Sequence, residues 1–123
     1  MTPYEHSELS VRDFGGKYED YVELHKFLDS TKFHLTDFRH RAILHNTFGI
    51  GLCEKLFGDY ITNSEGNNIS VREVARRHIM QDSGVVPTIK ETLDALSNGD
   101  YHKFNKPLKR DLKWLKENLY LNT

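Results

Sequence analysis

The longest stretch of helix-forming sequence in the chain is TKFHLTDFRHRAILHNTFGIGLCEKLF, residues 31–57. No proline interrupts this stretch, and Gly58 directly after it is typical of a helix end. Gly49 and Gly51 are expected to weaken or bend its middle. Its apolar residues fall on two sides of a helix rather than in one stripe, which indicates burial from two directions. We therefore predict a long central helix in which some polar side chains are buried as well.

The segments before this stretch also carry helix signals. Residues 2–5 have the pattern of a capped helix start with proline at the first helical position, and the glycines at 15–16 are expected to end that helix. Residues 17–28 repeat apolar side chains at helical spacing, and His25 falls on the same face. We therefore expect His25 to face the interior, and we interpret residues 29–30 as the cap of the next helix.

The segments after this stretch alternate turn and helix signals. Residues 59–70 hold a turn cluster between β-favouring residues, which predicts a small hairpin. Residues 70–73 form a capping box that opens a helix to about Gln81. The inner face of this helix is predicted to carry Val71, Val74, Ala75, His78 and Asp82. An apolar repeat over residues 89–96 marks a further helix, and residues 105–120 are predicted to form a basic C-terminal helix.

Length and composition favour one compact domain and exclude several functions. A chain of 123 residues suits a single domain, so residues 1–123 are expected to form one mostly α-helical unit. Seventeen Lys and Arg residues against eighteen Asp and Glu give a net charge of −1, which argues against nucleic-acid binding. Neither a secretory pattern nor an apolar run of membrane-spanning length occurs in the sequence, so we expect a cytoplasmic protein. The one cysteine, Cys53, is expected to be an inert core residue.

Histidine is frequent, with seven in the chain, and the pattern of four of them predicts a metal site. The four that fall on otherwise apolar helix faces are His25, His34, His45 and His78. Asp37, Arg41 and His45 are spaced four apart, and His34 lies three residues before Asp37, so one helix face would carry them all. On a second helix, Asp82 follows His78 at the same spacing of four. Imidazoles and a carboxylate delivered from facing helices are the ligands that a divalent metal requires.

Other interpretations of the same residues stay open. A single histidine on an apolar face is more often a core residue that bonds a backbone carbonyl, and Asp37 with Arg41 is also the spacing of a helix-surface ion pair. Burying several ionisable groups in a small core is costly unless a metal, a ligand or a network satisfies them. Without a metal, Arg41 and Arg39 would bind an anion. The remaining histidines, His6, His40 and His102, are expected to be more exposed.

A series of short motifs is spread along the chain. The motifs are Phe14-Gly15-Gly16, Asp20-Tyr21, His25, Asp37-Phe38-Arg39-His40-Arg41-Ala42, His45, Gly49-Ile50, Phe57-Gly58, Ile61-Thr62-Asn63-Ser64, Val71-Arg72, His78, Asp82, Gly84 and Pro87. Together they resemble a small uncharacterised family of phage and bacterial proteins. The resemblance covers about residues 6 to 90 and leaves the basic C-terminal helix as an addition. It implies that the His/Asp/Arg set belongs together and names no reaction. A phage or prophage origin, and hence the cytoplasm of a host cell, is the implied setting.

Residues 42–46, Ala-Ile-Leu-His-Asn, carry a second and looser resemblance. They are similar to the helix that bears the adjacent His-Asp pair of the HD-type phosphohydrolases. Asn46 stands where the family has a metal-binding aspartate. With His25 upstream and Asp82 downstream, the order of the remaining ligands would fit, and the resemblance implies metal-dependent hydrolysis of a phosphate ester.

The leading interpretation is a helical protein with a buried His/Asp site for a divalent transition metal such as zinc, iron or manganese. Its predicted ligands are His45, His78 and Asp82, with His25 or His34 completing the set. If the site hydrolyses a phosphate ester or nucleotide, Asp37 would act as base or would orient a metal-binding imidazole, and Arg41 with His40 would hold the anionic substrate. The alternative is a non-catalytic, phage-type accessory protein that binds a small anionic ligand or a host protein. A third possibility is that the histidines only fix helix packing.

Overall fold

A computed structural model describes residues 1–100 and 102–120 of the chain. The first part of the chain forms helices joined by short connections, several of them 3₁₀ turns. The α-helices up to the hairpin are α1 (Pro3–Phe14), α2 (Val22–Leu28), α3 (Arg41–Leu44) and α4 (Thr47–Phe57). The 3₁₀ turns are Tyr18–Asp20, Ser30–Phe33 and Phe38–His40.

The second part of the chain begins with the hairpin. Strand β1 (Tyr60–Thr62) pairs antiparallel with β2 (Asn68–Ser70), with Ile61 opposite Ile69. The helices that follow are α5 (Val71–Ser83), α6 (Ile89–Ser97) and α7 (Lys109–Leu115), and a π-helical turn continues α7 over Lys116–Tyr120. The mostly α-helical class with a small hairpin is therefore confirmed.

Local capping chemistry explains where the helices start. The Thr2 hydroxyl accepts from the backbone N–H of Glu5, and the Glu5 side chain accepts from the backbone N–H of Thr2. Ser70 caps α5 through one half of this pattern: its hydroxyl accepts from the backbone N–H of Glu73, while the Glu73 side chain pairs with Arg76 and Arg77. Each such cap typically stabilises a helix by about 1 kcal/mol. Both of these helix starts were predicted, because the capping residues are local in sequence.

The prediction of a long central helix over residues 31–57 is wrong. The chain leaves helical geometry after Leu44, and Asn46 starts a new helix instead of continuing the old one. The Asn46 side-chain oxygen accepts from the N–H groups of Phe48 and Gly49, while its amide donates to the carbonyl of Ala42. The bend also needs Gly49, because a Cβ there would collide with the backbone carbonyl of Leu44. The glycine therefore permits a sharp break between α3 and α4.

The core forms where α5 packs against α4, α2 and α1. Its buried members are Tyr21, Leu24, Leu28, Leu44, Ile50, Cys53, Val71, Val74, Ala75 and Ile79. The inner face of α5 is the one predicted from its periodicity, whereas Arg72 and Arg76 are exposed. Cys53 is fully buried, and burial raises the pKa of its thiol to about 12, which fits the predicted inert role.

The C-terminal helix differs from the prediction for residues 105–120. It begins at Lys109 rather than at 105, because Leu108 is still in extended conformation. Asp111 on this helix is buried and pairs with Arg12 of α1, with 3.0 Å between the Arg12 guanidinium and Asp111 Oδ1. In the described part of the chain, no helix has both the length and the apolar character needed to cross a bilayer.

Candidate metal centre

Helix α5 supplies two residues of the candidate centre, His78 and Asp82. They lie one turn apart on its inner face, and their side chains are 0% and 2% exposed. This placement was predicted from the spacing of four and is confirmed. Because both groups lie beneath the helices that pack on α5, other elements must supply their partners.

Helix α1 brings His6 against these two residues. His6 Nε2 lies 3.2 Å from Asp82 Oδ1, and the His6 ring stacks on the His78 ring with 3.7 Å between centroids. The expectation that His6 is exposed is wrong, because its side chain is fully buried. The buried side of α1 consists mainly of small polar residues and histidine, so hydropathy did not mark it as an inner face.

Two helix ends complete the arrangement. His45 follows the last residue of α3, and its Nε2 lies 2.9 Å from Asp82 Oδ2 and 3.2 Å from His78 Nε2. Asp29 follows the last residue of α2, and its Oδ1 lies 3.2 Å from His78 Nε2. The sequence interpretation of Asp29 as a cap missed this role. Asp29 follows His25 by four residues, just as Asp82 follows His78. This repeated spacing was the sequence signal that could have identified Asp29 as a site residue.

We call the set His6, Asp29, His45, His78 and Asp82 the His/Asp cluster. One ligand atom from each of His6, Asp29, His78 and Asp82 lies within 4.8 Å of all the others. Side-chain exposure within the cluster does not exceed 4%. A mixed nitrogen and carboxylate set of this kind suits zinc, iron(II) or manganese(II). The buried cluster could therefore hold a metal ion.

Three atoms of the cluster have no hydrogen-bond partner among the described residues: His6 Nε2, Asp29 Oδ2 and His45 Nδ1. The other ring nitrogen of His6, Nδ1, donates to the side-chain oxygen of Gln81 at 2.7 Å. A neutral imidazole that donates from Nδ1 has a lone pair on Nε2. That lone pair then lies beside the carboxylate oxygen of Asp82, and two such acceptors repel each other unless a cation lies between them.

His25 lies behind the cluster and contacts it through His78. The Nδ1 atoms of His25 and His78 are 2.8 Å apart, and His25 Nε2 is 2.8 Å from the hydroxyl oxygen of Ser10. Ser10 in turn donates to the backbone carbonyl of His6. Because the Ser10 hydroxyl proton points to this carbonyl, the Ser10 oxygen accepts from His25 Nε2–H. The Nδ1 atom of neutral His25 then has a lone pair, so His78 Nδ1–H must donate to it. This arrangement leaves the lone pair of His78 on Nε2, which faces the carboxylates.

Burial keeps two of the imidazoles in the neutral form. It lowers the pKa of His78 to about 3 and holds the pKa of His25 well below its ordinary value. Burial also opposes ionisation of Asp29 and Asp82, but the hydrogen bonds of the neighbouring imidazoles, and the positive charge that an imidazole carries when it is protonated, outweigh burial and lower the pKa of both carboxyls. The ionised carboxylate is the metal-binding form, and a bound cation would supply the positive charge in place of those protons.

Arg41 lies at the edge of the cluster, beside a small pocket. One guanidinium nitrogen is 3.9 Å from Asp82 Oδ1, and another is 3.0 Å from the side-chain oxygen of Asn105. The pocket is lined by Arg41, His45, Thr92, Phe104 and Asn105, among others. His45 Nδ1 is buried without a hydrogen-bond partner among the described residues. His45 therefore separates the cluster from the pocket.

The structure does not bring the other predicted site residues into the cluster. His34 is exposed, and Asp37 is about half exposed and pairs with Arg39 at 2.7 Å. His40 is buried instead of exposed, and its Nδ1 donates to the carbonyl of Asp37. These residues do not share a face with His45, because the segment that carries them is not one helix. Asn46 caps α4 and lies outside the cluster.

Comparison with known proteins places the chain in one family. The family described as a domain of unknown function (DUF6915) matches residues 1–101, and the chain belongs to it. The matched region holds every residue of the His/Asp cluster and excludes α7. No curated protein and no solved structure matches the chain.

Proposed function

We propose that this member of the DUF6915 family binds one divalent transition metal ion in the His/Asp cluster. The ligands would be His6 Nε2, His78 Nε2 and one oxygen each from Asp29 and Asp82, with His45 beside them. The observation that carries the proposal is the 3.2 Å approach of His6 Nε2 to Asp82 Oδ1, while Gln81 holds the proton of His6 on Nδ1. A cation between these two atoms relieves their repulsion.

The ligand set includes neither His34 nor His25. His34 is exposed and lies outside the cluster. His25 instead orients His78 through the 2.8 Å contact between their Nδ1 atoms. A hydrogen bond to the ring nitrogen that does not bind the metal fixes the orientation of the ring and raises the basicity of a metal-binding histidine. His25 therefore acts behind the metal rather than on it.

We further propose that the metal serves the hydrolysis of a phosphate ester. A bound divalent ion supplies Lewis-acid activation of a phosphoryl oxygen or of water. Arg41 is the residue placed to hold the anion, because it lines the pocket and reaches to 3.9 Å from Asp82. The resemblance to HD-type phosphohydrolases supports the same reaction, and Asp29 would supply the carboxylate that Asn46 lacks.

A second candidate is a non-catalytic accessory protein in which the metal only stabilises the fold. Full enclosure favours it, because the five cluster side chains are at most 4% exposed. Structural metal sites are closed, whereas catalytic sites keep a coordination position for water or substrate. In that case the pocket beside Arg41 would serve to bind a small anion or a protein partner.

The first experiment measures metal content on tag-free, desalted protein by inductively coupled plasma mass spectrometry. We expect close to one zinc, iron or manganese per chain in the parent, and loss of the metal in a His6→Ala/His78→Ala variant. His34→Ala is the matched control, since it removes an exposed imidazole and should leave metal content unchanged. Equal metal content in the double variant and the parent would overturn the proposed site.

The second experiment separates the two candidate functions. Metal-loaded protein is assayed for release of phosphate from p-nitrophenyl phosphate and nucleoside monophosphates. Turnover that depends on the metal and falls at least tenfold in Arg41→Ala supports the hydrolase. Stoichiometric metal without turnover of any phosphoester supports the structural role instead.

A further inference from the structure

A second polar pocket lies where α1, α5 and the start of α7 meet. It has a volume of about 150 Å³ and borders Gln81. Its charged lining consists of Arg12, Arg76, Arg77, Arg110, Asp13 and Asp111. The room suffices for several water molecules or a small anion. Four arginines line this pocket, whereas the pocket beside the His/Asp cluster is lined by Arg41.

Two of these arginines are held in place by buried or half-buried acids. Arg12 lies 2.7 Å from Asp13 Oδ1 and 3.0 Å from Asp111 Oδ1, and the Asp111 side chain is 2% exposed. Arg77 lies 3.1 Å from the other oxygen of Asp13. The acids therefore fix the guanidinium groups before any ligand arrives, which reduces the entropy lost on binding.

The positive charge at this pocket exceeds the negative charge. Glu73 lies outside the lining and pairs with Arg76 and Arg77 at 2.7 and 3.0 Å. Even with Glu73 included, four arginines face three acids. Arg110 is 77% exposed and comes only within 3.8 Å of Asp111, so its side chain can turn toward a ligand in the pocket.

We propose that this arginine pocket binds a phosphate-class oxyanion, either free phosphate or the phosphate of a monoester. Guanidinium groups recognise phosphate oxygens through paired N–H donors, and this geometry distinguishes arginine from lysine as a phosphate ligand. The site needs no metal, so it stands independently of the function proposed for the His/Asp cluster.

The test is isothermal titration calorimetry of the full chain at constant ionic strength with inorganic phosphate and with phenyl phosphate. It is run in buffer with a chelator and repeated without one. The pocket variant is Arg76→Ala/Arg110→Ala, whose side chains are 44% and 77% exposed and therefore dispensable for the core. The matched control is Arg72→Ala/Lys90→Ala, which also removes two exposed cations, at 66% and 83% exposure, away from the pocket.

We expect saturable binding by the parent and the control, and at least tenfold weaker binding by the pocket variant. Tighter binding of phenyl phosphate than of phosphate identifies a monoester as the ligand class, and equal binding identifies the free ion. Absence of binding by the parent, or equal binding by the pocket variant and the control, overturns the proposal. Arg110→Ala alone is the second variant, should the double variant lose its cooperative thermal transition.

Discussion

The Nδ1 atoms of His25 and His78 lie 2.8 Å apart, and this contact joins α2 to α5 directly beneath the His/Asp cluster. Two neutral imidazoles at this distance share one proton, so the tautomer of one ring determines that of the other. The hydroxyl oxygen of Ser10 is the hydrogen-bond partner of the other ring nitrogen of His25, Nε2. The contact therefore links the packing of three helices to the nitrogen that His78 presents to the carboxylates.

The first prediction concerns His25→Ala. This variant leaves a cavity and removes the buried partner of His78 Nδ1, so the free energy of unfolding should fall by about 2–4 kcal/mol. Because His78 is no longer oriented, metal affinity should fall by about 10- to 100-fold. Urea unfolding and competition with a metal indicator measure the two effects. His34→Ala, at an exposed position, should change stability by less than about 0.5 kcal/mol, and unchanged metal affinity in His25→Ala would exclude the orienting role.

The second prediction concerns Asp82, which lies within 3.5 Å of the ring nitrogens of His6, His45 and His78. A ligand that binds only the folded chain stabilises it by about 2.7 kcal/mol at one hundred times its dissociation constant. The parent should therefore gain thermal stability when metal is added, and Asp82→Asn should gain little, because it lacks the shared carboxylate.

The control for this comparison is Asp94→Asn. Asp94 is an exposed aspartate that pairs with Lys90 on α6. Differential scanning fluorimetry with zinc or manganese and with a chelator gives the shift for each chain. A metal-induced shift in Asp82→Asn as large as that of the parent and of Asp94→Asn would place the metal elsewhere.

The third prediction concerns acid. The pKa of His78 falls from 6.5 to about 3 on folding, and that of His25 falls well below 6.5. The unfolded chain therefore binds protons at a higher pH than the folded chain does, and acid favours unfolding. Stability of the metal-free protein should be constant above about pH 7 and decrease from about pH 6.5 downward, by up to about 1.4 kcal/mol per pH unit for each such proton.

Carboxylates add to this loss only at lower pH. The pKa values of Asp29 and Asp82 in the folded chain lie below their ordinary value of 3.8. Their contribution to the free energy of unfolding is therefore also lost in acid, as the pH falls below 3.8. Urea unfolding at pH 8, 6.5, 5.5 and 4.5 therefore measures the imidazole contribution, because all four pH values lie above 3.8. Stability that is flat between pH 6.5 and 5, or that rises, would show that the imidazoles are not kept neutral in the folded chain.

Sequence reasoning succeeded where the determinants are local. Ser70 and its capping partner start α5, and the helical period then places His78 and Asp82 on the inner face. The hairpin follows from its turn residues. In each case the interaction that fixes the element lies within a few residues of it, so no knowledge of the tertiary structure is needed.

Sequence reasoning failed where the determinants are distant. His6 is buried because α1 packs on α5, and the polar face that it shares carries no hydropathy signal. Asp29 sits at a helix end, where a capping role explains it equally well. His34 and Asp37 were placed beside His45 by a helix that does not form, since residues 34–37 are not helical and α3 begins only at Arg41. Three of the five cluster residues, His45, His78 and Asp82, were thus predicted, and the other two depend on how the helices pack.

The last prediction compares two glycines of α4. A methyl group at Gly49 would collide with the backbone carbonyl of Leu44, which cannot move without opening the break between α3 and α4. At Gly51, apart from the surrounding backbone of α4 itself, no atom of the described residues lies within 4 Å of the equivalent position. Gly51→Ala should therefore stabilise the protein by about 0.4–1 kcal/mol through helix propensity. Gly49→Ala should destabilise it by about 1–3 kcal/mol, as overpacking does in a rigid core. Urea unfolding of the two variants provides a matched pair, and stabilisation of both by similar amounts would contradict the close approach of Leu44 to Gly49.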